Sequence, residues 1–429
     1  MSNQLNIPKS IQKRIVIVGG GFAGLNVAKG LLKANAQIVL IDRYNFHTFQ
    51  PLLYQAATSA LPATSVVYPF REILNKSKSF YYRWAEVTGV DTHNKVLKCS
   101  EGDLMYDTLI LATGTEVNFF GNSNIEKFSM PMKSLPQAIK IRQTILNNFE
   151  KADRCDDVIE KKALLNFCIA GGGPTGVEVS GALAEMKNEI FPRDYPHLDT
   201  DLMEIHLFEG SERLLGSMSE HAGKKALASL KNLGVILHLE TEVNDYDGRK
   251  LYTSQNKEYS TENFIWAAGV VGKPLEGIPD TSVGKAKRYI VDNYNAVKNC
   301  KDIYAIGDIA LMKTNDFPEG HPQVAQPAIQ QGDHLAKNLA RAINGKEMKT
   351  FRYFEKGYMA VVGRNKAVAD IGKFQFSGFV AWLLWSFIHL FSLAGFKNRL
   401  IVFVSWIYNY INGDKSTRVI IQEATENKS

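Results

Sequence analysis

Cysteine is scarce in this chain, and the few that occur stand apart. Cys99, Cys155, Cys168 and Cys300 are the only four among 429 residues, and no two are spaced as C-x-x-C. That excludes an obvious redox disulfide and gives no zinc pattern, while four unpaired thiols suit a reducing compartment. The nine histidines are scattered without H-E-x-x-H spacing, so no metal centre is expected. Charge of one sign is also in short supply: 50 Lys and Arg against 44 Asp and Glu leave a net +6. So diffuse a charge, with no basic tract, excludes nucleic acid as the expected partner and still fits anionic lipid or a phosphate-bearing cofactor. A signal core is missing too. Met1 to Arg14 is polar and lacks the Arg-rich amphipathic look of a transit peptide, so the folded body is expected to stay in the compartment where it is made. The length exceeds one compact core, and two or three domains are expected.

Glycine, by contrast, is concentrated where it carries information. Arg14-Ile-Val-Ile-Val-Gly-Gly-Gly-Phe-Ala-Gly24 and Asn166-Phe-Cys-Ile-Ala-Gly-Gly-Gly-Pro-Thr-Gly176 repeat one design: a doubly buried strand, a glycine cluster, then a helix. Their first glycines, Gly19 and Gly171, lie a domain's length apart, which reads as two dinucleotide-binding units. Gly19, Gly21 and Gly24 complete G-x-G-x-x-G, as do Gly171, Gly173 and Gly176. The pattern needs glycine for a tight turn, for close approach to a pyrophosphate, and for close helix–strand packing. The helix N-terminus then offers free N–H groups to the phosphates. After the first loop the strand Gln37–Ile41 ends in Asp42, placed to hold a ribose hydroxyl. After the second loop the acid is delayed to Glu209, and the excess falls in a Pro-containing insertion, Asn188 to Asp201. A carboxylate there would repel a 2′-phosphate and favours NADH; Arg213 nearby leaves NADPH open.

Gly307-Asp308 closes a further apolar strand, where the aspartate could hold a ribityl hydroxyl or simply cap a turn. Ala325-Gln-Pro-Ala-Ile-Gln330 follows. Pro327 suits a first helical turn, Ala325 and Ala328 leave room for a flat ring, and Gln326 and Gln330 are four apart, as on one helix face. Its plain alternative is a polar helix start. Gly378 to Phe396 has no formally charged residue, and after Lys397 and Arg399 a second apolar run covers Leu400 to Ile411. The first run is just within spanning length and the second too short to return. Two helices lying in one leaflet, with Trp382, Trp385 and Trp406 at the headgroup boundary, explain the pattern better than a single span or a buried dimer interface.

Taken together, Gly19–Gly24, Asn45-Phe-His-Thr-Phe-Gln-Pro-Leu-Leu-Tyr54, Ala112-Thr-Gly114, Gly171–Glu178, Gly307-Asp308, Ala325-Gln326…Gln330 and the aromatic tail resemble the type II NADH dehydrogenases, single-subunit NADH:quinone oxidoreductases that do not pump protons. The resemblance spans essentially the whole chain. It implies an α/β fold with two Rossmann-like domains, one for FAD (1–120 with 285–350) and one for NADH (121–284). A membrane-docking and possibly dimer-forming helical segment follows (351–429). FAD is expected against Gly19, Gly21, Phe22, Ala23, Gly24, Asp42, Arg43, His47, Gln50, Thr113, Gly114, Gly307, Asp308, Ala325 and Gln326. NADH is expected against Gly171, Gly173, Pro174, Thr175, Gly176, Glu178, Glu209, Ala268 and Gly269. Quinone is expected at Ala325, Gln326, Ala328 and Gln330, with Glu178, Gln326 and Gln330 carrying the chemistry. A membrane quinone, the lipid surface and a second copy of the chain are the implied partners, at the cytoplasmic face of the cell membrane. Disulfide reductases place two cysteines soon after the first acid, and none stands between Asp42 and Tyr82 here. A membrane-docked redox sensor would use the same loops, and a ferredoxin- or rubredoxin-type reductase would not need the tail.

Overall fold

Short β-branched runs with no polar face are satisfied only between two layers, and the chain uses two sets of them. The computed structural model describes residues 4–74, 78–415 and 417–420; the outermost ends of the expected domains, 1–3 and 421–429, lie outside the described residues. The chain divides into two units.

The first unit comprises Met1–Thr48, Val67–Glu116 and Val270–Lys356. Its parallel sheet runs in the order Ile303–Ala305, Thr108–Leu111, Arg14–Val18, Gln37–Asp42, Phe80–Trp84. The glycine-loop strand is thus central, in register with Gln37–Asp42 from Arg14↔Gln37 to Val18↔Ile41. Val16, Ile17, Val39 and Leu40 are fully buried. Helices Phe22–Leu31 and Ala325–Ile343 lie against each other. Glycines set their separation: a Cβ on Gly332 would come within 2.5 Å of the Ala23 carbonyl oxygen.

The second unit comprises Phe49–Val66, Val117–Gly269 and Gly357–Ser429. It repeats the plan, with parallel strands in the order Met130–Pro131, Asn263–Trp266, Phe167–Ala170, Ile205–Phe208, Ile236–His238. Again the loop strand is central and the acid-bearing strand is its neighbour, paired from Phe167↔Ile205 to Ala170↔Phe208. Helix Pro174–Glu185 continues through a π-turn, Met186–Ile190, into Phe191–Asp194, and a short 3-10 turn follows at Thr200–Leu202. This extension absorbs the residues that delay Glu209.

From Tyr358 the unit adds an antiparallel sheet of Tyr358–Gly363, Lys366–Ile371 and Phe374–Gly378, then helices Phe379–Ser392 and Phe396–Asn412. No helix among the described residues is long and apolar enough to cross a membrane. The outward face of the two tail helices is aliphatic and phenyl, with Phe387 62% and Ile411 72% exposed. Trp385 and Trp406 sit differently from expectation, whereas Trp382 is half-exposed. Trp385 is 2% exposed, stacked on His389 at 4.2 Å and packed on Trp406 at 5.6 Å. Trp406 spends its indole N–H inward on Gln55 Oε1 at 2.8 Å. The difference has a physical cause: a ring enclosed by other rings gains from aromatic pairing as well as from burial.

Helix Pro174–Glu185 meets strand Tyr358–Gly363 through Gly181, where a Cβ would stand 1.9 Å from the Val362 carbonyl oxygen. Gly181→Ala should therefore destabilise the protein by ~1–3 kcal/mol or more, read as a lower urea midpoint. Unchanged stability would mean that this helix–strand contact is loose.

Candidate functional site

Each loop is built by three glycines with three different duties. Gly19 and Gly171 take φ of +95° and +107°, and a Cβ on either would strike the backbone of the neighbouring strand end, at Ala112 and Ala267. Gly24 and Gly176 let the helix lie on the turn: a Cβ would stand 1.8 and 1.9 Å from the carbonyl oxygens of Gly19 and Gly171. Gly21 and Gly173 are different, for a Cβ there would meet no atom of the protein within 4 Å. That space is what a pyrophosphate needs. Both residues cap their helices with no side-chain hydrogen bond, so the first-turn N–H groups are left to a ligand. Pro174 occupies the first helical turn, where its missing N–H costs nothing, and Thr175 follows it.

The two acids do one job. Asp42 Oδ2 accepts from Gly20 N at 2.5 Å and Oδ1 from Tyr44 N at 2.7 Å. Glu209 Oε2 accepts from Gly172 N at 2.6 Å, and Oε1 from Ser211 N at 2.8 Å and Ser211 Oγ at 2.7 Å. Despite unequal spacing in sequence, the acids occupy equivalent positions at the ends of equivalent strands. Burial pushes the Asp42 carboxyl up, and the two N–H donors with Arg43 hold it down. Each carboxylate keeps lone pairs for ribose hydroxyls.

In the first unit the other expected FAD contacts gather near the same strand ends. His47 lies beneath the loop with Nδ1 3.0 Å from the Gly20 carbonyl and its ring edge-on to Phe22. Burial lowers its pKa to about 4, so it is neutral. Arg43 is exposed and pairs with Glu116 at 3.6 Å. Thr113 Oγ1 is buried without a protein partner, and Gly114 beside it takes φ +68° with open space where a side chain would be. An orphaned hydroxyl beside an open glycine fits a bound cofactor. Gly307 lies against Ala23 and Ala328, the latter contributed by the expected quinone segment, while Asp308 accepts through its carbonyl from Gln323. Gln331, next to the expected Gln330 and without a sequence signal of its own, is 1% exposed and accepts from Gly307 N at 2.7 Å. Gln50 falls instead in the second unit, exposed at the head of a 3-10 turn.

Helix Ala325–Ile343 begins at Ala325 with no side-chain cap. Gln326 and Gln330 share a face as expected, but their amides already have work. Gln330 Nε2 donates to Phe354 O at 2.8 Å and its Oε1 accepts from Phe354 N at 3.0 Å; Gln326 Oε1 accepts from Lys356 N at 3.2 Å. The pair straps residues 354–356 across the helix start.

In the second unit, Ala268 and Gly269 close the strand beside the second loop, Gly269 at φ +112° with its carbonyl bonded by Asn118 N. Glu178 lies one turn beyond the loop and accepts from Val361 N at 3.5 Å. Burial raises its pKa to about 8, so the carboxyl holds a proton at neutral pH. It lines a cavity of about 120 Å³ together with Tyr54, Glu185 and Lys415. Those three were not singled out from sequence, and Lys415 gives no local sign of burial. All four cysteines are free thiols, and no metal-holding group of His, Cys, Asp and Glu occurs among the described residues.

Comparison with known proteins agrees along the whole chain. Residues 13–332 match the pyridine nucleotide-disulphide oxidoreductase family, and residues 356–414 the NDH2 C-terminal domain. The type II NADH:quinone oxidoreductase Ndh of Mycobacterium tuberculosis is 34% identical, covering 93% of this chain and 88% of its own. A solved structure of NDH2 from Plasmodium falciparum in complex with NADH has a TM-score of 0.87 at 23% identity, over 96% of this chain and 100% of that one. The sulfide:quinone oxidoreductase of Aquifex aeolicus has a TM-score of 0.71 at 15% identity, over 91% and 92%. The last two likenesses concern the fold.

The Glu178 carboxyl is protonated more readily in the folded chain than in the unfolded one, whose ordinary value is 4.5. Its contribution to stability is whole below 4.5 and is lost as pH rises through about 8. Glu178→Gln should flatten that part of the decline, measured as urea midpoints at several pH values. An identical slope in the variant would mean that Glu178 ionises normally.

Proposed function

The chain belongs to the type II NADH:quinone oxidoreductase family, and on that premise we infer how its own residues divide the reaction. The enzyme is an FAD-dependent NADH:quinone oxidoreductase. When bound, FAD takes hydride from NADH and yields the electrons to a quinone, chemistry that belongs to the cofactor. The protein supplies positioning. The observation that carries the reading is the pair of loops of one construction, each with an open glycine, an uncapped helix and a carboxylate tethered to its turn. The first loop is assigned to FAD and the second to NADH. Glu209 would repel a 2′-phosphate, which favours NADH over NADPH.

We assign the quinone to the Ala325–Gln330 helix start, with Gln326 its amide contact. Gln330, whose amide is committed at both ends to Phe354, is assigned to positioning. Glu178, holding a proton at its carboxyl, is assigned as the donor that reduced quinone requires. The tail helices are assigned to lipid. Between Lys373 and Asp414 the chain has no acidic residue and carries Lys373, Lys397 and Arg399, a charge pattern that anionic headgroups attract. With the exposed phenyl and aliphatic face, this supports docking in one leaflet, with the cytoplasmic face of the cell membrane as the proposed side.

Two measurements test these assignments. Gln326→Ala should slow reoxidation of the reduced enzyme by a soluble quinone about tenfold, the loss of one hydrogen bond to developing charge. Stopped-flow reduction by NADH should stay near the wild-type rate. Equal losses in both half-reactions would move the quinone site elsewhere. Separately, Phe387→Glu with Ile407→Glu should shift the protein from membranes into the soluble fraction, each buried charge costing on the order of 2 kcal/mol. Unchanged membrane association would remove this face from the docking surface.

A further inference from the structure

A phenylalanine in the second unit occupies a position that neither its backbone nor the core explains. Phe120 takes φ +52° and Gly121 φ +80°, and Asn122 N donates to the Phe119 carbonyl at 3.0 Å, closing a turn of the type I′ pattern. Both central positions of such a turn favour Gly, Asn or Asp. A bulky residue there is a strained exception, of the sort that clusters at functional sites. Burial does not compensate, because Phe120 is 69% exposed. What remains to account for the residue is the outward face of its ring.

The bonds around the turn fix where that ring stands. Asn118 N donates to the Gly269 carbonyl at 3.2 Å, its own carbonyl accepts from Trp266 Nε1 at 2.9 Å, and its Oδ1 accepts from Phe120 N at 2.9 Å. The Phe120 ring lies edge-on to Trp266, with centroids 6.3 Å apart. It also stands over Gly269, where a Cβ would meet its tip at 3.3 Å. Gly269 follows strand Asn263–Trp266, which flanks the second loop's strand on the side away from Ile205–Phe208. The loop itself touches that strand end, since a Cβ on Gly171 would come within 2.6 Å of the Ala267 carbonyl oxygen. Glu209, closing Ile205–Phe208, marks the adenosine ribose. A dinucleotide that crosses the loop from there carries its nicotinamide half over the end of Asn263–Trp266.

We propose that Phe120 is an NADH-binding residue whose ring packs against the nicotinamide and holds it beside Gly269. The proposal rests on the assignment of the second loop to NADH. An aromatic face gives a flat heterocycle both apolar contact and a preferred stacking geometry. The turn fixes the backbone that carries the ring, so little freedom is lost when the nicotinamide arrives. Gly269 has its own part, because any side chain there would press on the ring and displace it.

The test titrates NAD⁺ and ADP-ribose by calorimetry into the oxidised, FAD-loaded protein, where no electron transfer intervenes. Phe120→Gly and Phe120→Ala should each weaken NAD⁺ about tenfold, the usual loss when one ring leaves a stack. ADP-ribose lacks the nicotinamide and should bind both variants as it binds wild type. Phe120→Tyr keeps the ring and should retain NAD⁺. Glycine takes the left-handed angle without strain and alanine does not, so Phe120→Gly should have the higher urea midpoint although the two bind NAD⁺ alike. In stopped flow, the NADH concentration that half-saturates flavin reduction should rise about tenfold in both. Wild-type NAD⁺ affinity in both variants would overturn the proposal. So would an affinity that follows the urea midpoint, or an equal loss of ADP-ribose. Gly173→Val, which fills the open position of the second loop, judges the assignment beneath it. If that variant keeps NAD⁺ and ADP-ribose, NADH does not use the second loop, and the Phe120 variants still show whether the ring binds it.

Discussion

A carboxylate oxygen held by a backbone N–H fixes the geometry on which both nucleotide sites depend. Asp42 on Gly20 and Glu209 on Gly172 tie the tip of one strand to the turn of its neighbour. Each bond is charge-assisted and contributes ~1.5–3 kcal/mol, more than an ordinary amide pair. With the turn held from one side and Gly24 or Gly176 closing it from the other, the helix N-terminus cannot drift from the strand ends. The open position at Gly21 or Gly173 is therefore kept by the surrounding backbone, without a ligand to maintain it.

This frame was legible in the sequence because it is written in residues with no substitute. Glycine at fixed offsets, a doubly apolar strand and an acid at the next strand end each have one structural meaning in that order. The delayed Glu209 still ends the neighbouring strand, since the extra residues form a helical continuation that leaves the sheet register untouched. What sequence could not give was the partner of a long polar side chain. The amides of Gln326 and Gln330 meet backbone some thirty and twenty-four positions away. Trp385 was read as an interfacial indole because its neighbours are apolar, yet a His389 ring and Trp406 enclose it. Lys415 follows an amphipathic helix and resembles any surface lysine until the fold buries it.

Helix Pro174–Glu185 sets two unlike electrostatic features close together near its start. Its first turn presents uncapped N–H groups, which favour anions. One turn on, Glu178 is kept neutral by burial that outweighs the hydrogen bond from Val361. The helix thus offers free N–H donors and a neutral carboxyl within a few residues of each other. Gly181, further along, allows the Tyr358–Gly363 strand close enough to make that burial complete.

The residues inserted ahead of Glu209 also grip the far end of the chain. Asp194, at the end of the helical continuation, meets Arg418 at 2.5 Å, and Arg418 is further bonded to Asp414. Insertion and tail therefore share one clasp. Trimming the insertion to the ordinary loop length would remove Asp194 and leave Arg418 with Asp414 as its remaining carboxylate partner.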